Sequence, residues 1–103
     1  KTLHYYIDKY PIAKNQLTIW HNEFTEKEFS NFNELKKVYR NASILNNNRV
    51  IFNIKGNDFR LIVSLNFLQK TCYLIWFGTH NEYDKINCET ICFDKNILNF
   101  IKK

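Results

Sequence analysis

The chain has 103 residues, 45% of them hydrophobic and 24% charged, with a formal net charge of +5. That length supports one compact core and not two, so residues 1–103 are expected to form a single domain. The apolar share excludes a disordered chain, and no apolar run approaches the ~18–20 residues that span a bilayer.

The positive balance draws the domain toward polyanions such as RNA, although a solvated lysine-rich surface gives the same balance. Two glycines and one proline leave no composition for a flexible linker, and no internal repeat is visible. No secretory signal pattern is present. The chain starts at Lys1 without an initiator methionine, which leaves room for residues upstream.

The first half reads as helical. Leu3, Tyr6, Ile7 and Tyr10 recur at helical spacing up to Pro11, which ends or redirects that helix. A second helix is expected over 13–25, with Leu17, Trp20 and Phe24 on one face. Asn31-Phe32-Asn33-Glu34 resembles a capping box and opens a short third helix that runs to about Tyr39. Aromatic stripes of this kind belong to a core.

From Arg49 the apolar period becomes two, and strands are expected over Arg49–Ile54, Phe59–Asn66 and 71–77. Lys55-Gly56-Asn57-Asp58 is a tight-turn sequence, with Gly56 supplying the positive φ of a type II′ turn. Such a turn pairs Ile54 with Phe59, Phe52 with Leu61 and Val50 with Val63, an all-apolar face whose register supports itself. The other face then carries Asn53 beside Arg60, Ile51 beside Ile62, and Arg49 beside Ser64. An even-length second turn brings Leu61 to Trp76 and Val63 to Leu74 on the core face, and Arg60 to Phe77 on the open face.

After Ile86 a last amphipathic helix is expected, with Ile91, Leu98 and Ile101 among its apolar positions. Helices first, then an antiparallel meander with helices covering one face, define an α+β fold. The cysteines, Cys72, Cys88 and Cys92, are odd in number and lack a disulfide-like spacing. That usage fits a reducing cytosol and so a cytoplasmic protein. Cys88 and Cys92 lie one helical turn apart with His80 nearby, but a zinc site needs four ligands in a tighter pattern, so neither metal nor cofactor is expected.

The densest chemistry lies in Thr79-His80-Asn81-Glu82-Tyr83-Asp84-Lys85, just past the third strand. Strand pairing brings Lys55, Asn57, Arg60, His80 and Tyr83 to one sheet end, while Arg49 falls about 13 Å away at ~3.3 Å per residue. Arg60 is the only charged residue inside its strand. Its guanidinium offers bidentate bonds to phosphate, or it is a surface arginine paired with a carboxylate such as Asp84. His80 titrates near neutrality and suits acid–base work, yet Thr79-His80-Asn81-Glu82 also fits a capping box in which His80 is incidental. Tyr83 either donates a hydrogen bond, stacks on a base, or tucks into the core. Asp84 can orient His80 or Arg60, and Lys85 can contact phosphate.

Asn48-Arg49-Val50-Ile51-Phe52-Asn53-Ile54-Lys55-Gly56-Asn57-Asp58-Phe59-Arg60-Leu61-Ile62-Val63, followed by Gly78-Thr79-His80-Asn81-Glu82-Tyr83-Asp84-Lys85-Ile86, resembles the HigB family of toxins in the RelE/ParE superfamily of type II toxin–antitoxin systems. The resemblance also covers the helical half and reaches about Ile91. It implies a ribosome-dependent mRNA interferase that cleaves mRNA in the A site without a metal, silenced by a HigA-type helix-turn-helix antitoxin. DNA would be met only through the antitoxin complex. The resemblance makes Arg60 the contact to the scissile phosphate and His80 and Tyr83 the catalytic pair. It also suggests Lys55 and Lys85 as RNA-backbone contacts, with Asp84 in support; Asn57 at the convergent sheet end and Arg49 at its periphery complete the expected phosphate-binding set.

Two departures stand out. Such toxins usually begin with a short strand before the first helix, whereas this chain starts at or near that helix; a protein without the strand would expose a sheet edge. Residues 92–103 also run past the family's usual end. Rival expectations are a ParE-like gyrase inhibitor, against which the Arg60, His80 and Tyr83 set argues, and a non-catalytic RNA- or protein-binding module of the same fold.

Overall fold

The computed structural model describes residues 2–91. Helix α1 spans Thr2–Lys9, and α2 spans Lys14–Glu26 after a 3₁₀ turn at Pro11–Ala13. Pro11 cannot continue α1, because its ring clashes with the preceding turn and it has no N–H to donate. Tyr10 before it takes φ −130° and ψ 72°, out of the helical region. The second helix therefore starts one residue later than its periodicity suggests. Helix α3, Phe32–Val38, opens on the expected cap: Asn31 Oδ1 accepts from Glu34 N at 3.0 Å. The Glu34 carboxylate reaches back to Ser30 N at 2.7 Å, one residue earlier than a regular capping box places it.

Four antiparallel strands follow in sequential order: β1 Ser43–Ile44, β2 Arg49–Ile54, β3 Phe59–Asn66 and β4 Thr71–Thr79. Strand β1 is short and was not legible in the pattern. Between β2 and β3 every expected pair is present, from Arg49 with Ser64 to Ile54 with Phe59. Asp58 N closes the turn onto Lys55 O at 3.2 Å, and Gly56 sits at φ +63° as its place in the turn requires. Lys55 also adopts a left-handed φ of +55°, which the sequence did not announce.

The pairing of β3 with β4 departs from expectation. Val63 meets Leu74 as expected, but Ile62 meets Trp76, Leu61 meets Phe77 and Arg60 meets Gly78. A bulge between these pairs inserts Ile75 as an extra residue. Because side chains alternate with period two, one inserted residue exchanges the faces of everything after it. Phe77 therefore lies in the core at 1% exposure, and Trp76 moves to the other face beside Ile62. The strand also runs two residues longer than expected, to Thr79.

Helices back one face of the sheet. Tyr6, Leu17, Trp20 and Leu35 pack there against Val50, Phe52, Leu61 and Val63, forming one apolar cluster. The second face is not open either. Ile51 and Ile62 are buried on it, because the chain after the sheet crosses back over it. A short helix, α4 His80–Tyr83, follows β4 directly. Arg49 Nη1 then donates to Cys88 O at 3.0 Å and Asn47 Nδ2 to Glu89 O at 3.3 Å, strapping that segment down. The expected later helix is a turn at its start, with Thr90 N and Ile91 N bonded to Asn87 O. Its remainder, including Leu98 and Ile101, lies outside the described residues. Among the described residues β4 forms one edge of the sheet. None of the described helices is long and apolar enough to cross a membrane.

Candidate functional site

The end of the sheet that carries the 55–58 turn also carries α4. Thr79, the last residue of β4, is the N-cap of α4: its Oγ1 accepts from Glu82 N at 3.2 Å, and Glu82 Oε1 accepts from Thr79 N at 2.9 Å. The capping box is thus real, and His80 is its first helical residue. His80 N donates to Asp58 O at 2.9 Å, tying the start of α4 to the β2–β3 turn. Local capping and the turn bond together place His80 beside residues more than twenty positions earlier in the chain.

Arg60 projects from β3 onto the second face, opposite Gly78. Its Nη1 donates to Asn57 O at 2.9 Å and Phe59 O at 3.2 Å. The guanidinium carbon lies 5.9 Å from the centre of the Tyr83 ring, a cation–π contact. Arg60 forms no ion pair among the described residues: the carboxylates at this end are Asp58, paired with Lys55 at 3.5 Å, Asp84, paired with His80, and Glu82, which accepts from Thr79 and Tyr10. A guanidinium anchored by carbonyls keeps its full charge, and its remaining donors stay available to an anion.

His80 is exposed, and its Nδ1 lies 3.2 Å from Asp84 Oδ2. A carboxylate acceptor on Nδ1 favours the tautomer with the proton there, which leaves the Nε2 lone pair outward and able to take a proton. Asp84 therefore partners His80 and not Arg60. Tyr83 is half-buried between Arg60 and Trp76, whose ring centre is 6.3 Å away. Burial pushes its phenol up to about 12, helped by a hydrogen bond with the Cys88 thiol and opposed by the Arg60 charge. At neutral pH the phenol keeps its proton, so Tyr83 is a donor.

Of the other expected residues, Asn57 holds Arg60 through its carbonyl and receives Asn53 Nδ2 on its side chain at 3.5 Å. Lys85 is exposed on the turn after α4. Arg49 is at the far end of the face and holds the strap. Sequence reasoning missed Trp76 as a neighbour of Tyr83, because the bulge at Ile75 leaves no mark in the alternation. It also missed Tyr10, whose hydroxyl donates to Glu82 at 2.7 Å across 72 positions of sequence. A glycine directly across from the lone strand arginine was the available clue to the true register. No three His, Cys, Asp or Glu side chains gather as metal ligands among the described residues, and Cys92 lies outside them. A groove of about 850 Å³ lies at the opposite sheet end between Phe29 and Phe67 and contains none of these residues.

Residues 13–86 match the family model described as HigB_toxin, RelE-like toxic component of a toxin–antitoxin system. The matched stretch contains α2, α3, the whole sheet and α4, so the domain with this sheet-end site is a RelE-like toxin. Within that class, the chain belongs to the HigB toxin family. It is 29% identical over 79 residues to the mRNA interferase toxin HigB of Escherichia coli K12, covering 75% of this chain and 76% of that relative. The mRNA interferases HigB of Escherichia coli O157:H7 and Shigella flexneri match equally, at 29% over 79 residues with the same coverage. Membership in a toxin–antitoxin family implies an antitoxin partner.

Proposed function

We propose that this toxin is an endoribonuclease, an mRNA interferase that cuts messenger RNA bound in the ribosomal A site. The observation that carries it is Arg60: a strand arginine anchored by two carbonyls, without an ion pair among the described residues, flanked by a His–Asp pair and a protonated tyrosine. The relatives are named mRNA interferases, which supports the same reaction class.

His80, with Asp84 holding its Nδ1, takes the proton from a ribose 2′-hydroxyl through Nε2. The 2′-oxygen attacks the adjacent phosphate. Arg60 stabilises the crowded phosphorane, where negative charge builds beyond that of the ground state. Tyr83 delivers its phenolic proton to the departing 5′-oxygen, and the products are a 2′,3′-cyclic phosphate and a free 5′-hydroxyl. Lys55, Asn57 and Lys85 line the approach of the RNA backbone, with Arg49 at its periphery. All three catalytic side chains come from this chain, and the step uses neither metal nor cofactor.

The partner that silences it is a HigA-type helix-turn-helix antitoxin, through which the complex reaches DNA, and the toxin acts in the cytoplasm. Primer extension across mRNA in a translating extract tests the proposal. Added wild-type protein should create new stops within codons, and Arg60→Ala or His80→Ala protein that remains folded should not. Undiminished cutting by folded His80→Ala would remove histidine from the mechanism.

A further inference from the structure

We infer that Tyr10 is a positioning residue for α4, acting through Glu82 to hold His80 and Tyr83 in place beside Arg60. The inference deepens the ribonuclease proposal and rests on it.

At four residues α4 is too short to stabilise itself, since helix formation is unfavourable until several turns are made. Its orientation must come from bonds made outside it. Two are local: the Thr79 cap, and the His80 N bond to the β2–β3 turn. The third comes from the helical layer. Tyr10 OH donates to Glu82 Oε1 at 2.7 Å, and that same oxygen accepts Thr79 N at 2.9 Å and Thr79 Oγ1 at 3.0 Å. The capping box alone would tie the carboxylate only to the residue it caps, so the tyrosine is what couples α4 to the core.

The anchor itself is rigid. The Tyr10 ring packs edge-on against Phe59 at 5.6 Å and Phe77 at 5.7 Å, and those two rings stack on each other at 5.2 Å. Phe59 neighbours Arg60 in β3 and pairs with Thr79 in β4. One ring stack therefore sits under both the arginine and the helix that carries the acid–base residues. Tyr10 acts through Glu82 and touches none of the three catalytic side chains.

Tyr10→Phe deletes the hydroxyl and keeps the ring packing. The readouts are cleavage rate against ribosome–mRNA complex concentration, and the NMR shift of the His80 ring proton with the Trp20 indole N–H as a remote reference. The expected result is a maximal rate lowered about 10- to 100-fold, in line with the cost of small misplacements at a reacting centre. The concentration giving half the maximal rate should stay within about twofold, and the His80 signal should move while Trp20 stays. A merely structural tyrosine would lower thermal stability and leave the rate of the folded fraction unchanged, and that result overturns the inference. So does a loss confined to the half-saturating concentration.

If Tyr10→Phe does not fold, Glu82→Gln against Glu82→Ala carries the test. The glutamine keeps an oxygen for the tyrosine and should retain more of the maximal rate; equal rates overturn the inference. Wild-type protein that cuts no RNA overturns the ribonuclease proposal, whereas an active wild type with an equally active Tyr10→Phe overturns the positioning role alone.

Discussion

Replacing Gly78 with alanine tests the placement of the Trp76 indole. A Cβ built on Gly78 would stand 2.6 Å from Trp76 Cη2, 2.7 Å from Cζ2 and 3.2 Å from Glu82 Oε1. Ordinary contact begins near 3.4 Å, so the indole has to retreat by roughly 0.8 Å. It cannot do so freely, because Tyr83 packs against it with ring centres 6.3 Å apart. The backbone at Gly78 is not left-handed, so the cost comes from crowding alone. Overpacking of this kind costs about 1–3 kcal/mol, which lowers the midpoint of a domain this size by roughly 5–15 °C. Thermal and urea unfolding followed by circular dichroism would measure it. In a Trp76→Leu background the alanine meets less bulk, and the double-mutant cycle should show a coupling of about 1 kcal/mol or more. Equal costs in the two backgrounds, or a Gly78→Ala protein as stable as wild type, would refute the packing of the Trp76 indole over Gly78.

Other outcomes follow from single groups. Arg60→Ala should cut the cleavage rate by roughly 10²–10³-fold, the scale of one lost transition-state donor, while unfolding midpoints stay within a few degrees. Thr79→Ala removes the α4 cap and should cost about 1 kcal/mol in urea titration. The Tyr83 phenol, raised to about 12 against a usual value near 10, binds its proton more tightly in the folded state. Its contribution to stability is full below pH ~10 and is lost as pH rises toward 12, so Tyr83→Phe should flatten the alkaline fall in melting temperature. Glu82 shows the opposite sign. Burial raises its pKa, but the bonds from Thr79 and Tyr10 outweigh burial and hold it below the usual carboxylate value. Its contribution is present at neutral pH and is lost only as acid titrates the folded carboxylate, a loss that Glu82→Gln should abolish in acid melts.

What the sequence disclosed depended on whether the signal was local. The β2–β3 register was legible because a turn of fixed length and three apolar pairs demand the same alignment. The two caps were legible because Asn31 and Thr79 each sit three residues before a glutamate. The bulge at Ile75 was not, since Leu74-Ile75-Trp76-Phe77 is apolar throughout and shows no alternation to break. That single residue misplaced Trp76 in the core and Phe77 on the surface. The burial of the second face was hidden as well, because the Arg49 and Asn47 bonds that fasten the strap reach backbone carbonyls about forty residues away. Arg60, His80 and Tyr83 were named from sequence, but Asp84 could be assigned to His80 only once α4 set the four-residue spacing on one helical face.

The chemistry of the cut ends tests the ribonuclease proposal most directly. Messenger RNA recovered from ribosomes incubated with the wild-type protein should carry a 2′,3′-cyclic phosphate upstream of each cut and a 5′-hydroxyl downstream, with the cuts inside A-site codons. Ends bearing a 3′-hydroxyl and a 5′-phosphate, or no cuts on translating ribosomes, would contradict it.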